Sequence, residues 1–326
     1  MKQSTRARGL LAWMMVMIGI MVLPAMAQDL LEDTALDADS ISAAAPAGEM
    51  DMWNWPSRVA LGLQLRSEAD IDNGSAFSVG SMKASIGAMH ELDEQWGVDV
   101  LGAFSRLSYE FSDTEAFGGT PWNDVNIISA RGFARAKVDE QWTVLGGPVI
   151  GYSGESGAGE SAMTGGAGLG AIYTVSPELK IGLLVAAVSR IEDSAAIVPA
   201  PLVYWNFAEQ WSLRLGAAAV AASSGYGLEV DYLYIPELQF GLGARMQAQR
   251  FRLDDAGVAP DGVGEDKTTL VYAQSTWQAL EDLKLQIMAG LSSGGTVEVD
   301  DANGDELASE DYEAALTIGA RAVLNY

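Results

Sequence analysis

Very few side chains in this chain are equipped for covalent or acid–base chemistry. Its 326 residues hold one histidine, His90, and no cysteine, which excludes disulfides, thiolate metal sites, cysteine nucleophiles and a lipidated N-terminal cysteine. A histidine base must lie within about 3 Å of its partner. His90 stands just before a short turn, at the wrong end of its hairpin for a rim site. Glu229 and Asp231 could form a carboxylate pair, but residues two apart on a strand read more simply as neighbours on one face of a wall. The run Asp301-Ala302-Asn303-Gly304-Asp305 alternates oxygen ligands like the start of a calcium loop. Glu306 stands where the sixth-position glycine belongs and Tyr312 where a bidentate glutamate belongs, so a solvated turn is the better reading. The glycine-rich run 165–170 lacks a phosphate-binding Lys-Ser/Thr and opens a strand, where glycine eases curvature. No catalytic residue, metal or cofactor is expected.

The elements that carry these residues follow a repeated phrase. Short turns recur at Leu92-Asp93-Glu94-Gln95-Trp96, Val138-Asp139-Glu140-Gln141-Trp142, Ser176-Pro177-Glu178-Leu179, Phe207-Ala208-Glu209-Gln210-Trp211, Ile235-Pro236-Glu237-Leu238 and Leu280-Glu281-Asp282-Leu283. Each is followed by period-two alternation, as in Trp211, Leu213, Leu215, Ala217 and Ala219 against Ser212, Arg214, Gly216 and Ala218. Longer polar segments at 110–124, 153–161, 253–267 and 298–310 separate the hairpins at the other end. Short turns alternating with long loops, joined by weakly alternating strands, are the plan of a transmembrane barrel. The reading is all-β: an antiparallel up-and-down transmembrane β-barrel over residues 55–326, with about 14 strands and 12 as the competing count.

Ahead of the barrel, Lys2, Arg6 and Arg8, an apolar stretch from Leu10 to Leu23 and Ala25-Met26-Ala27 fit a cleaved secretory signal over residues 1–27. The alternative, an uncleaved anchor, has only about 14 apolar residues where a span needs ~20. Residues 28–54 are acidic and aperiodic and are expected to be disordered, or to enter a pore as a plug with Leu30, Leu31 and Leu36 as apolar handles. Without the signal, 16 basic residues face 44 acidic ones, which makes nucleic acid an unlikely partner.

Tryptophans mark one end of the barrel. Trp96, Trp142 and Trp211 follow short turns, Trp205 and Trp277 precede them, and Trp53 and Trp55 open the first strand. With Tyr326 they form an expected aromatic girdle at the short-turn end, where an indole keeps its body in lipid and its N–H in water. Only Trp122 falls in a long loop, and core tryptophans of a soluble sandwich would have no reason to gather at hairpin ends. The last stretch alternates Tyr312, Ala314, Leu316, Ile318, Ala320, Ala322, Leu324 and Tyr326 against Glu313, Thr317, Gly319, Arg321 and Asn325. This strand resembles the C-terminal signature by which outer-membrane proteins are passed to the barrel-assembly machinery. Over residues 53–326 the chain resembles bacterial outer-membrane β-barrel proteins, including families known only as domains of unknown function. The resemblance implies the outer membrane of a Gram-negative-type bacterium, outer-membrane lipid and the assembly machinery as partners, and no particular activity. A trimer is one option, because many porins form one, but no residue marks a subunit face.

With the apolar face of each strand against lipid, the basic residues sort to the other face: Arg58, Arg66, Lys83, Arg131, Arg135, Lys137, Lys180, Arg190, Arg214, Arg245, Lys284 and Arg321. Lipid-facing arginine costs ~2–4 kcal/mol at mid-depth, so inward placement by itself implies no function. Gln64, Asp99, Glu229, Asp231, Gln239, Gln247, Gln249, Gln286 and Glu313 are expected beside them, while the acidic surplus falls on loops at Asp254-Asp255, Glu265-Asp266, Asp300-Asp301, Asp305-Glu306 and Glu310-Asp311. Two functions fit this lumen. One is a passive pore for small polar or anionic solutes. The other is a non-conducting structural or surface-interaction barrel, with an internal salt-bridge lattice and acidic external loops.

Overall fold

The computed structural model describes residues 57–326 apart from 160–161 and 193–194. The expected signal, the acidic segment, Trp53 and Trp55 lie outside the described residues.

Alternating apolar and polar residues give the strands β1 (Arg58–Asp70), β2 (Ala76–Glu91), β3 (Trp96–Ser112), β4 (Asp124–Lys137), β5 (Trp142–Glu155), β6 (Met163–Ser176), β7 (Leu179–Ser189) and β8 (Ala195–Ala208). They continue as β9 (Trp211–Val220), β10 (Ser223–Ile235), β11 (Leu238–Arg252), β12 (Val263–Leu280), β13 (Leu283–Asp300), β14 (Glu306–Tyr312) and β15 (Ala315–Asn325). All sequential neighbours pair antiparallel except β14 and β15, which lie end to end along β13. Together those two make one interrupted stave, and β15 pairs with β1 to close a barrel of 14 staves. Closure leaves no sheet edge along most of the wall, as a strand structure in lipid requires.

The repeated phrase works as a turn for a local reason. Asp93 Oδ1 accepts from the backbone N–H groups of Gln95 and Trp96 at 2.8 and 2.7 Å, and Asp139 does the same for Gln141 and Trp142. These Asx turns satisfy the donors that the strand ends leave over.

Outward positions form an apolar belt that includes Leu63, Leu169, Leu242 and Ile287, each more than 60 % exposed. A soluble barrel would hide such a surface. Leu242→Arg is expected to destabilise the bilayer-embedded barrel by ~2–4 kcal/mol. Urea titration in lipid vesicles reads the loss, and a neutral result would mean that this face does not meet lipid.

Three departures from the sequence expectation shape the interior. First, β12 and β13 extend past the expected loop boundaries, so the connections shrink to 253–262 and 301–305. Glu265, Asp266 and Asp300 therefore sit on strands and are buried. Second, Tyr312 points inward and Glu313 and Ala314 are both exposed. Glu313 is thus not on the luminal face. The cause is the break between β14 and β15, where Glu313 N–H donates to the Asp70 carbonyl at 2.8 Å and one residue slips the alternation.

Third, the β9–β10 hairpin leaves the wall. Pairing of β8 with β9 stops at Val203↔Leu215 and pairing of β10 with β11 stops at Tyr226↔Met246, while β9 and β10 pair with each other to Val220↔Ser223. Gly216, at φ +153°, stands where β9 departs. The tip crosses the lumen and meets the far wall: a Cβ on Gly62 of β1 would collide with the Ala221 carbonyl and lie 2.9 Å from Ala222 N. A Cβ on Gly319 of β15 would likewise strike the Ala221 methyl. Residues 195–202 of β8 are left without a strand partner on that side. Pro199 and Pro201 lie there, and the Pro201 carbonyl accepts instead from Tyr226 Oη at 2.6 Å. Proline suits such an edge because it has no N–H to leave unsatisfied.

Candidate functional site: the lumen

The lumen has four levels along its axis. At the short-turn end lies a charged network. Arg214 pairs with Glu229 and, at 2.9 Å, with Asp231. Tyr272 Oη donates to Glu229 at 2.5 Å and accepts from Arg245 at 2.9 Å. Arg131 stands 3.8 Å from Asp99. Arg58, Arg135, Lys284 and Arg321 are buried in the same half. Glu229 and Asp231 do share a face, as strand periodicity requires, but both are engaged by Arg214, which suits a wall and leaves neither carboxylate placed as a base.

The second level is the hairpin tip. Besides the glycine contacts, Ala221 N–H donates to Gln286 Oε1 at 3.4 Å. Gln286 in turn donates to Gln274 at 2.9 Å. The flank of the hairpin rests on an apolar interior that the sequence reading missed: Phe133, Leu145, Ile172, Leu184, Leu202 and Tyr204 pack with Leu215 and Tyr226. The glycine-rich run belongs to this layer. A Cβ at Gly168 would lie 3.1 Å from the Phe133 ring, so a glycine there makes room for the aromatic side chain.

Above the tip is a cavity of about 100 Å³, floored by Ala222 and walled by Gln64, Ser81, Lys83, Ser129, Gln247, Gln249, Thr268 and Ser292 among others. Arg66 also borders it, and its charge is met by Asp266 at 2.7 Å. Asp266 is held further by Tyr312 Oη at 2.8 Å and Tyr109 Oη at 3.1 Å.

The fourth level closes the long-loop end. Trp122 is 1 % exposed and sits among Tyr109, Phe111 and Phe251 with ring centroids 5.1–5.6 Å apart. Phe77 and Tyr312 meet edge to face at 5.0 Å. This is an aromatic cap inside the barrel: Trp122 lies in the long β3–β4 connection, as expected, and that connection folds inward to bury it.

Outside the wall at the same height, Arg250 joins Glu265 and Asp300, each at 2.7 Å, and Glu192 at 2.9 Å. Arg190 lies just past β7, 3.6 Å from Glu192. Arg252 donates to the Ile191 carbonyl, fastening the β7–β8 connection to β11.

The girdle residues that are described lie at the short-turn end. Trp96, Trp142, Trp211, Trp277 and Tyr326 are 43–65 % exposed, and Trp205 is partly buried. Trp142 meets Tyr173 at 4.9 Å and Trp211 meets Tyr232 at 4.8 Å, so tyrosines of neighbouring strands complete the ring. His90 is exposed at this level. In the 301–305 turn, Asp301 Oδ1 accepts from Asn303 N–H at 2.8 Å and Asp305 N–H at 3.0 Å. Those donors hold its carboxyl below the usual range, the Asp305 N–H foremost. The turn uses its own ligand oxygen, and among the described residues no cluster of three or more metal-ligating side chains occurs.

No protein-family model matches the chain, and no curated relative does either. Solved structures of similar form include a Pseudomonas aeruginosa FadL homologue, 11 % identical over 89 % of this chain and 96 % of that one, with a TM-score of 0.47. The P. putida toluene transporter TodX is 9 % identical over 89 % and 94 %, with a TM-score of 0.41. The KdgM porin is 8 % identical over 82 % and 99 %, with a TM-score of 0.33. These are distant likenesses of form among barrels.

Proposed function

We propose that this chain is an outer-membrane β-barrel channel for small polar solutes, and that its β9–β10 hairpin holds the lumen closed in the conformation described. Orientation follows barrel convention, with short turns and girdle on the periplasmic side and long connections outside. The observation that carries the reading is the hairpin. Among the described residues its strands pair only with each other beyond Leu215 and Tyr226, and Ala221-Ala222 at its tip meet the far wall at Gly62, Gly319 and Gln286. An element with no ladder partner beyond those residues can swing without unfolding the wall, whereas a purely structural barrel gains nothing by taking two strands out of its wall.

The expected preference for anions narrows to one half. Below the hairpin, buried Arg58, Arg131, Arg135, Arg214, Arg245, Lys284 and Arg321 outnumber Asp99, Glu229 and Asp231. Above it, the luminal cations Arg66 and Lys83 stand with the carboxylates of Glu155 and Asp266, while Arg250, Glu265 and Asp300 pair outside the wall. The positive surplus that would raise local anion concentration is therefore periplasmic.

A second reading, a non-conducting barrel, is favoured by the aromatic cap and the ion pairs around it. Planar-bilayer recording separates the two. The test variant replaces residues 217–226 by an Asn-Gly turn and closes the hairpin at the Gly216↔Gly227 pair. Wild-type protein is expected to give rare openings, and the variant sustained steps with a reversal potential shifted toward anions under a salt gradient. Silence from both folded proteins would favour the structural barrel. Equal, steady conductance from both would remove the hairpin as the closure.

A further inference from the structure

The cavity between the hairpin tip and the aromatic cap has the build of a ligand site, and we infer that it binds a small, neutral, polyhydroxylated solute. The inference rests on the reading that solutes enter the lumen, and it names the class that would be held there.

Three observations carry it. The lining is rich in groups that both donate and accept hydrogen bonds: Gln64, Ser81, Ser129, Gln247 and Ser292 come from five different strands and converge on one space. Gln64 Oε1 is buried and has no hydrogen-bond partner among the described residues, although unpartnered buried carbonyls are uncommon. A ligand hydroxyl is the donor it lacks. Charge is already balanced at the roof, where Asp266 takes up Arg66 at 2.7 Å together with two tyrosine hydroxyls. An anionic ligand would compete with Asp266 for the Arg66 guanidinium and be repelled by it, and Lys83, the other cation of the lining, is itself already engaged, whereas a neutral ligand meets no such opposition. Leucine, isoleucine and valine side chains (Leu107, Ile127 and Val79) complete the lining and suit the C–H faces of a polyol or small sugar. About 100 Å³ accommodates several water-sized groups, which fits a compound of that scale.

Position adds a consequence. Ala222 of the hairpin tip is the floor of this space, and Gln64 is two residues along β1 from Gly62, which seats Ala221. An occupant therefore rests on the moving element. A bound solute would stabilise whichever hairpin position leaves it room.

The test is ligand-observed saturation-transfer NMR on the full barrel in detergent, with erythritol as the neutral probe and glycerate as the anionic one. Transfer to erythritol is expected in wild type. Gln64→Leu, close in volume, is expected to weaken it about tenfold through loss of one buried hydrogen-bonding group. Ser292→Phe fills the space and is expected to abolish it. Preferential transfer to glycerate would overturn the neutral class. Absence of transfer to erythritol in wild type would overturn the site. Either failure is distinguishable from failure of the channel reading, because the hairpin-replaced variant would still conduct. Transfer that is unchanged in both Gln64→Leu and Ser292→Phe would assign binding to the detergent or the outer surface and also sink the proposal.

Discussion

Gly62→Leu is expected to drive the β9–β10 tip off the far wall. Its Cβ alone would lie 2.1 Å from the Ala221 carbonyl oxygen and 2.9 Å from Ala222 N. Those are backbone atoms, which no rotamer change can clear. The wall at Gly62 is fixed on both sides, by Lys83 of β2 and Arg321 of β15 in the ladder. The hairpin is fixed on neither side beyond Leu215 and Tyr226, so the strain is relieved by moving the hairpin. Overpacking of this kind costs about 1–3 kcal/mol, which shifts a two-state balance on the order of ten- to a hundredfold. The chain has no cysteine, so Ala222→Cys gives a clean reporter: maleimide labelling should accelerate by that factor in the Gly62→Leu background, and single-channel open time should rise with it. Unchanged labelling with lowered heat stability would mean that the wall deforms instead and that the tip is a fixed part of the core.

The staves were legible because each depends on local chemistry. Asp93 and Asp139 announce turns through their own backbone bonds, and tryptophan at the turn exits reports the interface by its amphipathic ring. β11 spans residues 238–252 both by alternation and in the structure. The inward hairpin was not legible from alternation, because residues 211–222 and 226–234 keep period two whether they line a wall or cross a lumen. Two signals pointed to it. The connections 113–123, 253–262 and 301–305 each carry two or more acidic residues, while the β9–β10 turn is Ala221-Ala222 with no charged residue between Arg214 and Glu229. Pro199 and Pro201 sit two residues apart in mid-strand, a pattern that suits a strand edge without a partner.

Charge misled in the opposite direction. Glu265, Asp266 and Asp300 belong to acidic runs that read as solvated loop, yet strand extension buries them against Arg66 and Arg250. The reason is long-range. Asp266 and Arg66 are 200 residues apart, and no local pattern reports a pairing closed by the barrel. The same holds for Tyr312, whose inward turn depends on the slip at Glu313 and on Asp266 being there to receive its hydroxyl.

The buried trio below the hairpin makes a separate and larger claim on stability. Arg214→Leu is expected to cost about 3–5 kcal/mol, because Glu229 and Asp231 would be left 3 % and 2 % exposed beside each other without their common cation. Arg245 is linked to Glu229 through the Tyr272 hydroxyl, whereas Arg214 pairs with both carboxylates directly. Coulombic attraction in the trio repays desolvation only while all three are present. The triple variant Arg214→Leu, Glu229→Leu, Asp231→Leu should therefore recover most of the loss, and its unfolding midpoint in lipid vesicles should lie well above that of Arg214→Leu. It should also lower conductance selectivity little, since Arg58, Arg131, Arg135 and Arg321 remain in that half. A triple variant as unstable as the single one would show that shape, not charge balance, is what Arg214 contributes. A single variant as stable as wild type would mean that water already reaches the two carboxylates, and that the periplasmic half of the lumen is open up to the hairpin.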